Sequence, residues 1–272
     1  MSGSAQTAAL IELAASSRVY DLAQPFANGM PQSPSHPRFH LALTRRHGDA
    51  VREGGGSAAA ELLVLGGHVG THVDALCHVS QDGSLHGGVD ADDAQRGGRF
   101  SALGIETVEP FVGRGLLLDV ARLHGVEILA PGTVVTAADL AAAASRADVT
   151  PGHGDIVLVR TGWARNWDDP EAFVGHASGV PGPGEEAAAW LAEHGIRATG
   201  ADTIAYEALA AGAGHSRLPV HRLLLVEHGI HIIETLQLEE LSRDDVGEFL
   251  FIAAPLKLVG GTGSPLRPLA LV

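Results

Sequence analysis

The sequence predicts an α/β fold, with one main domain built on a mixed β-sheet. Continuous apolar runs, such as 114–120 and 154–162, are typical of strands buried on both faces. Helical segments such as 183–195 lie between such runs, but without the strict βαβ rhythm of a nucleotide-binding fold. The 272 residues, 45% of them hydrophobic, are enough to bury a large core.

Local patterns place the individual elements. Residues 1–18 predict a short amphipathic helix as an N-terminal extension, and residues 19–272 form the main domain. Thr136 is a suitable N-cap for a helix over 136–144, and Gly229 is suited to end a helix that begins at Pro219. The strands are predicted at 19–26, 61–67, 114–120, 154–162, 196–202, 230–236 and, as the final strand, 249–259.

Charge and cysteine content restrict the class of function. The formal net charge of −14 disfavours a nucleic-acid or anionic-membrane surface, because both partners would be repelled, and favours a small-molecule substrate. Cys77 is the only cysteine, so an intrachain disulfide framework and a CxxC zinc site are excluded. The first residues lack the basic start of a signal peptide, and no apolar run approaches ~20 residues. We therefore expect a cytoplasmic protein.

The segment GGHVGTHVDALCHVSQDG (66–83) gathers His68, His72, Asp74 and His78. A straight strand would spread ten residues over roughly 33 Å, which is too far for one metal ion. A continuous helix would turn Asp74 and His78 away from the other two side chains. A shared site therefore requires the backbone to bend, and the glycines of this segment make bending inexpensive.

Imidazole and carboxylate together suit borderline divalent ions such as Zn²⁺, Mn²⁺ or Fe²⁺. His68, His72 and Asp74 are the candidate ligands, and an ion held by them would lower the pKa of water from 15.7 towards ~7. His78 would remain as a free acid or base. The alternative is that these residues are ordinary surface or hydrogen-bonded histidines, since the chain contains 15.

A second group of candidate ligands lies in HRLLLVEHGIHIIET (221–235), which contains His221 and Glu234. A helix that ends at Gly229 and a strand that follows would separate these two side chains. Only tertiary packing can bring them together, so their spacing leaves the question open.

Arg160 ends a predicted buried strand, and Trp163 follows it directly. Pocket walls in α/β proteins are common at such strand ends. Both residues are therefore candidate substrate-binding residues, with ordinary core packing as the alternative.

HVGTHVDALCH (68–78) resembles the H-x-G-T-H-x-D-x-P-x-H signature of the cyclase family of metal-dependent hydrolases, which includes bacterial kynurenine formamidase and isatin hydrolase. Leu76 replaces the proline of the signature, which leaves the backbone between Asp74 and His78 less restricted. Further segments resemble the family's strands and its second ligand segment: 19–34, 158–163, 218–225, 232–236 and 255–271.

The resemblance implies a swivelling β/β/α fold with a mixed sheet, assembled into homodimers or homotetramers. It implies that His68, His72 and Asp74 bind metal, and that His78 is the catalytic acid/base. It also implies that His221 and Glu234 complete a second metal position, with Asp74 as a bridge. The cofactor would be Mn²⁺ or Zn²⁺, as one or two ions.

The family chemistry implied by the resemblance is attack of metal-activated water on an amide carbonyl. The chain is more similar to the isatin hydrolase branch, which favours opening of a cyclic amide such as isatin or a related lactam or imide. An aryl formamidase acting on N-formylkynurenine is the second reading. Two other classes stay open: an Fe(II) oxygenase with two histidines and one carboxylate, and a non-catalytic ligand-binding homologue.

Overall fold

The centre of the molecule is a nine-stranded mixed sheet, seen in a computed structural model that describes residues 3–272. The thirteen strands are β1 (Val19–Asp21), β2 (His40–Arg45), β3 (Ala60–Val64), β4 (His72–Asp74), β5 (Phe111–Asp119), β6 (Val134–Val135), β7 (Ile156–Arg160), β8 (Gly182–Pro183), β9 (Ala198–Ala201), β10 (His231–Glu234), β11 (Glu248–Ala253), β12 (Gly263–Pro265) and β13 (Leu269–Leu271). The large sheet has the order β1-β13-β11-β5-β7-β9-β10-β4-β12. The predicted mixed α/β fold is confirmed.

Helices lie between these strands. The α-helices are α1 (Gly3–Ser16), α2 (Ala91–Ala94), α3 (Val120–Leu123), α4 (Ala137–Arg146), α5 (Pro170–Val174), α6 (Glu185–Glu193), α7 (Pro219–His221) and α8 (Glu239–Arg243), and a π-helix spans Arg222–His228. Short 3₁₀ turns occur at His86–Gly88, Arg96–Gly98, Ile105–Thr107 and Trp163–Asn166.

Four parallel strands, β5, β7, β9 and β10, form the middle of the sheet. All five residues of β7 are buried, as expected for a strand covered on both faces. On β5, Leu116 and Leu118 pack into one core cluster, whereas Leu117 packs into the cluster on the opposite face. Because parallel strands end at the same edge, Arg160 and Glu234 lie along one edge of the sheet.

Strand β4 continues this edge in the antiparallel direction. His72, at its start, pairs with Glu234 at the end of β10. On its other side β4 pairs with β12, where Gly263 lies opposite Asp74. The histidine-rich segment is therefore placed beside the carboxyl ends of the parallel strands.

Two helix signals are confirmed in detail. Thr136 caps α4 in a reciprocal capping box with Asp139, and Gly229 ends the π-helix with a left-handed φ of 66°. The helix predicted over 219–229 is confirmed, and the structure adds its type: α7 passes into a π-helix immediately after His221. Apolar spacing alone does not separate these two helix types, and π turns are frequent at functional sites.

The strand predicted as the final one, 249–259, is too long, and it is not the last. Strand β11 ends at Ala253, because Pro255 has no N–H to donate and Leu256 donates its N–H to the Ser264 hydroxyl instead. Two further short strands, β12 and β13, follow it.

Helix α1 and the β2–β3 ribbon lie outside the core. All the residues of α1 are at least partly exposed, and residues 1 and 2 of the predicted extension lie outside the described part of the chain. Every residue of β2 and β3 is exposed, including Leu43 and Leu62. Among the described helices, none combines the length and the apolar character that crossing a bilayer requires.

Candidate metal centre

The backbone bends before β4, as predicted from the glycines. Gly70 has a φ of +60°, and a Cβ built on it would lie 2.4 Å from the ring of Phe26. A larger residue would therefore be strained and would collide with that ring. The bend allows His68, in the preceding loop, to reach Asp74 on the strand. Leu76, at the position of the signature proline, packs against the core.

The first group of side chains forms around Asp74. His68 Nδ1 lies 2.7 Å from Asp74 Oδ1, and His72 Nε2 lies 3.5 Å from the same oxygen. His78 follows in a turn, and its ring stacks on that of His68 with 3.8 Å between centroids. Ligand atoms of His68, Asp74 and His78 all lie within 4.8 Å of one another.

The second group joins the first through the pairing of β4 with β10. His221 Nε2 lies 3.1 Å from Glu234 Oε1 and 3.6 Å from Asp74 Oδ2. His72 Nε2 lies 3.4 Å from Glu234 Oε2. The structure thus brings the six predicted metal and catalytic residues together, with Asp74 between the two groups.

The donor set fits a divalent cation. Asp74 and Glu234 are both buried, and no group within residues 3–272 makes a hydrogen bond to the buried oxygen Asp74 Oδ2. A buried carboxylate oxygen without a partner is costly, and a cation would satisfy it. The surrounding imidazoles and carboxylates are ligands that Mn²⁺ and Zn²⁺ accept.

Burial and charge shift the ionisation of the cluster. Burial opposes ionisation of Asp74, but the imidazoles of His78 and His68 hold its pKa well below the usual range. Burial lowers the pKa of His78 to about 3. Burial would also lower the pKa of His221, but its hydrogen bonds to Glu207 and Glu234 raise it to about 10. The field near His221 and Glu234 therefore favours positive charge.

Hydrogen bonds orient the imidazoles of the first group. His72 Nδ1 lies 2.7 Å from the carbonyl oxygen of Gly70, so this nitrogen donates and Nε2 is left facing Asp74. His68 Nε2 lies 2.8 Å from the hydroxyl of Thr262, and its Nδ1 faces Asp74. Fixing one ring nitrogen in this way selects the nitrogen that is available to an ion.

Sequence reasoning missed three residues of this site. Glu207 accepts hydrogen bonds from His221, Thr262 contacts His68, and Gly263 leaves room for the His68 ring, which a Cβ would approach to 2.5 Å. No local pattern marks Glu207. The run GGTGSP (260–265) is visible in the sequence around Thr262 and Gly263, but glycine-rich runs of this kind indicate a turn and do not by themselves indicate a site.

The two predicted substrate-binding residues lie in different surroundings. Arg160 is buried and bonds to Asp119 and Glu239. Trp163 is buried in a separate apolar cluster and donates its indole N–H to the carbonyl oxygen of Phe173 at 2.8 Å. None of these partners belongs to the histidine cluster, so a substrate contact by either residue stays a prediction.

Comparison with known proteins identifies the family. The Cyclase family model matches residues 20–208. Isatin hydrolase of Roseibium aggregatum is 30% identical over 77% of this chain and 73% of its own length, and kynurenine formamidase of Bacillus mycoides is 26% identical over 91% and 94%. A crystal structure described as a novel cyclase superposes with a TM-score of 0.86 at 30% identity, covering 97% of this chain and 91% of the other. The isatin hydrolase and the kynurenine formamidase are hydrolases, and this chain belongs to the cyclase family.

Proposed function

We propose that this hydrolase is a metal-dependent amidohydrolase. His68, His72 and Asp74 would hold one divalent ion, and Asp74, His221 and Glu234 would hold a second. The observation that carries the proposal is the buried Asp74, whose unpartnered Oδ2 lies 3.6 Å from His221 Nε2 and whose Oδ1 lies 2.7 Å from His68 Nδ1. These distances support the proposal that one carboxylate serves both positions.

A bound Mn²⁺ or Zn²⁺ supplies Lewis-acid chemistry, since it makes water more acidic and polarises a carbonyl group. His78 is the proposed acid/base because its ring is stacked beside His68, at 3.8 Å, and lies 6.4 Å from His221. The neutral imidazole would take a proton from the attacking water. It would return that proton to the amide nitrogen as the C–N bond breaks.

A cyclic amide such as isatin, or a related lactam or imide, is the favoured substrate. The relative at 30% identity is an isatin hydrolase, which supports this choice. An aryl formamide such as N-formylkynurenine is the second candidate, because kynurenine formamidase of Bacillus mycoides matches over 91% of the chain, against 77% for the isatin hydrolase.

The test begins with metal-free protein loaded separately with Mn²⁺ or Zn²⁺ and checked by elemental analysis. Each preparation is then given isatin and N-formylkynurenine, and ring-opened or deformylated product is measured by mass spectrometry. We expect turnover of isatin with at least one of the two metals. Turnover of N-formylkynurenine alone would assign the second substrate class, and no product from any amide would overturn the proposal.

A parallel anaerobic assay separates the remaining enzyme class. Hydrolysis consumes water and not O₂, so turnover with Mn²⁺ should continue without oxygen. An Fe(II) oxygenase would instead require both iron and O₂. Activity that disappears in the anaerobic assay would contradict hydrolysis.

Assembly into a homodimer or homotetramer is part of the proposal. The β2–β3 ribbon exposes apolar side chains on both strands, among them Leu43, Leu62 and Leu63, which supports contact with another copy. Light scattering on the protein as it elutes from a size-exclusion column would give its molar mass directly. A monomer at micromolar concentration would contradict this part.

A further inference from the structure

Glu207 is a buried carboxylate that contacts His221 at two points. Its Oε1 accepts a hydrogen bond from the backbone N–H of His221 at 2.9 Å and lies 2.8 Å from His221 Nδ1. Its Oε2 accepts a third bond, from the N–H of Val220 at 3.3 Å. Only 2% of Glu207 is exposed. The carboxylate therefore holds both the start of α7 and the imidazole of its last residue.

The backbone before Glu207 is held in an uncommon conformation. Tyr206 is a non-glycine residue with φ 55°, in the left-handed region that few side chains adopt. Its phenol is fully buried and lies 2.9 Å from the hydroxyl of Thr199 on β9. Such conformations persist when the surroundings fix them, and they concentrate at functional sites. The fold thus maintains a strained turn directly before the residue that faces His221.

The orientation of His221 depends on this contact. With Nδ1 donating to Glu207, Nε2 is the nitrogen left towards Glu234 and Asp74, at 3.1 and 3.6 Å. A carboxylate on the far nitrogen of a ligating imidazole fixes the ring and increases its basicity as a ligand. Rotation of the ring would turn Nε2 away from Glu234 and Asp74 and remove this nitrogen from the cluster.

We propose that Glu207 is a positioning residue that determines the metal affinity of the Asp74, His221 and Glu234 group. This inference rests on the proposed function, because it requires that group to bind an ion. It predicts that the charge of Glu207 matters beyond its hydrogen bonds. The amide oxygen of Glu207→Gln can still accept from both N–H groups of His221, so this variant removes the charge while keeping an acceptor.

The experiment is calorimetric titration of metal-free protein with Zn²⁺ and with Mn²⁺. His221→Ala identifies the binding phase that belongs to the group. In Glu207→Gln we expect that phase to weaken by about 10- to 100-fold, with the other phase unchanged. The matched control is Asp202→Asn, because Asp202 is also buried and accepts backbone N–H bonds, but its partners are Thr161 and Gly162. The control should bind metal as the wild type does.

Two further results would overturn the inference in distinguishable ways. If the wild type binds metal and Glu207→Gln binds it equally well, Glu207 has only a structural role and the proposed function survives. If His221→Ala changes no binding phase of the wild type, the group holds no ion, and the second metal position of the proposed function fails as well.

Nitrogen NMR of the zinc-loaded protein measures the chemical shifts of the individual imidazoles, which a loss of stability alone would not change. We expect the imidazole of His221 to be protonated at Nδ1 in the wild type and shifted at Nε2 by zinc. In Glu207→Ala, which removes the acceptor entirely, the zinc-dependent shift of this ring should be lost while those of His68 and His72 persist. Retention of the His221 shift in folded Glu207→Ala would contradict the inference.

Discussion

Two buried polar groups lie along the same edge of the sheet, and they are satisfied very differently. One is the network around Arg160 at the end of β7, and the other is the histidine cluster at the end of β10 and the start of β4. Both contain buried carboxylates in a protein with a net charge of −14. Of the two groups, only the histidine cluster leaves an oxygen of a buried carboxylate, Asp74 Oδ2, without a hydrogen-bond partner within residues 3–272.

In the Arg160 network each charge has a partner. Arg160 donates to Asp119 Oδ1 at 2.8 Å, to both oxygens of Glu239 at 2.7 and 3.1 Å, and to the carbonyl oxygen of Glu127 at 3.1 Å. The second oxygen of Asp119 accepts from the Ser242 hydroxyl. Burial opposes the charge of Arg160, but Glu239 and Asp119 raise its pKa above the usual range. Nothing in this network calls for a ligand.

In the histidine cluster, by contrast, one polar atom is left unpaired. Asp74 and Glu234 are buried among imidazoles, and Asp74 Oδ2 has no hydrogen-bond partner within residues 3–272. A buried polar network in which every group is paired makes the fold rigid, whereas one that leaves a carboxylate oxygen unpaired is suited to bind a cation. Complete hydrogen bonding therefore distinguishes the structural network around Arg160 from the histidine cluster, which is suited to a function.

The largest expected effect follows from removing the charge that both metal groups share. Asp74→Asn should weaken metal binding at both positions by more than the roughly 10- to 100-fold that loss of a ligand's hydrogen-bond partner costs, because Asp74 lies between the two positions. Equilibrium dialysis with elemental analysis measures the bound metal. Wild-type metal content in this variant would show that the missing partner is something other than a cation.

Removing the imidazole of His78 tests whether this residue transfers protons or binds the metal. His78→Ala should lower kcat by about 10²- to 10⁴-fold and leave metal content unchanged, as expected for a proton-transferring group. The geometry also permits ligation, since His68, Asp74 and His78 offer atoms within 4.8 Å of one another. Loss of metal from His78→Ala would therefore reassign this residue as a ligand.

The Arg160 network should respond in stability and not in catalysis. Arg160→Met leaves the carboxylate of Asp119 buried without its cation, whereas the half-buried Glu239 keeps an ion pair with Arg165. Breaking the buried pair should cost about 3–5 kcal/mol in the free energy of unfolding. Urea unfolding measures this loss. KM of the protein that remains folded should not change. An increased KM in the folded variant would instead support the predicted substrate contact by Arg160.

The first group of the site, within residues 68–78, could be predicted from the sequence spacing, whereas the group of His221 and Glu234 could not. His68, His72, Asp74 and His78 lie within eleven positions, so a single bend with Gly70 brings them together. The other half depends on long-range pairing. Glu234 meets His72 only because β10 pairs with β4.

Glu207 and Thr262 reach the site from loops that are distant in sequence. Hydrophobic periodicity is a local pattern and does not indicate such long-range contacts.

The main strands and the α4 cap were predictable because burial and capping act locally. The strand predicted over 249–259 was too long because its end depends on Pro255 and on a contact with Ser264, outside the predicted strand.

The smallest expected effect comes from Asp202, which follows β9 between the two regions. Its oxygens accept from the N–H and hydroxyl of Thr161 and from the N–H of Gly162. Burial raises its pKa from an ordinary 3.8 to about 6, although the bonds from Thr161 oppose this shift. The folded protein therefore binds this proton more tightly than the unfolded chain does.

The sign of the pH dependence follows from that difference. The stabilising contribution of protonated Asp202 is complete below about pH 4 and is lost as the pH rises through 6. Asp202→Asn does not titrate, so the stability of the wild type relative to this variant should fall by about 2 kcal/mol between pH 4 and pH 7. Urea unfolding of both proteins at several pH values measures this difference. Parallel stability curves would mean that Asp202 is ionised throughout, as a charge satisfied by Thr161 and Gly162, and would place it with the complete network around Arg160.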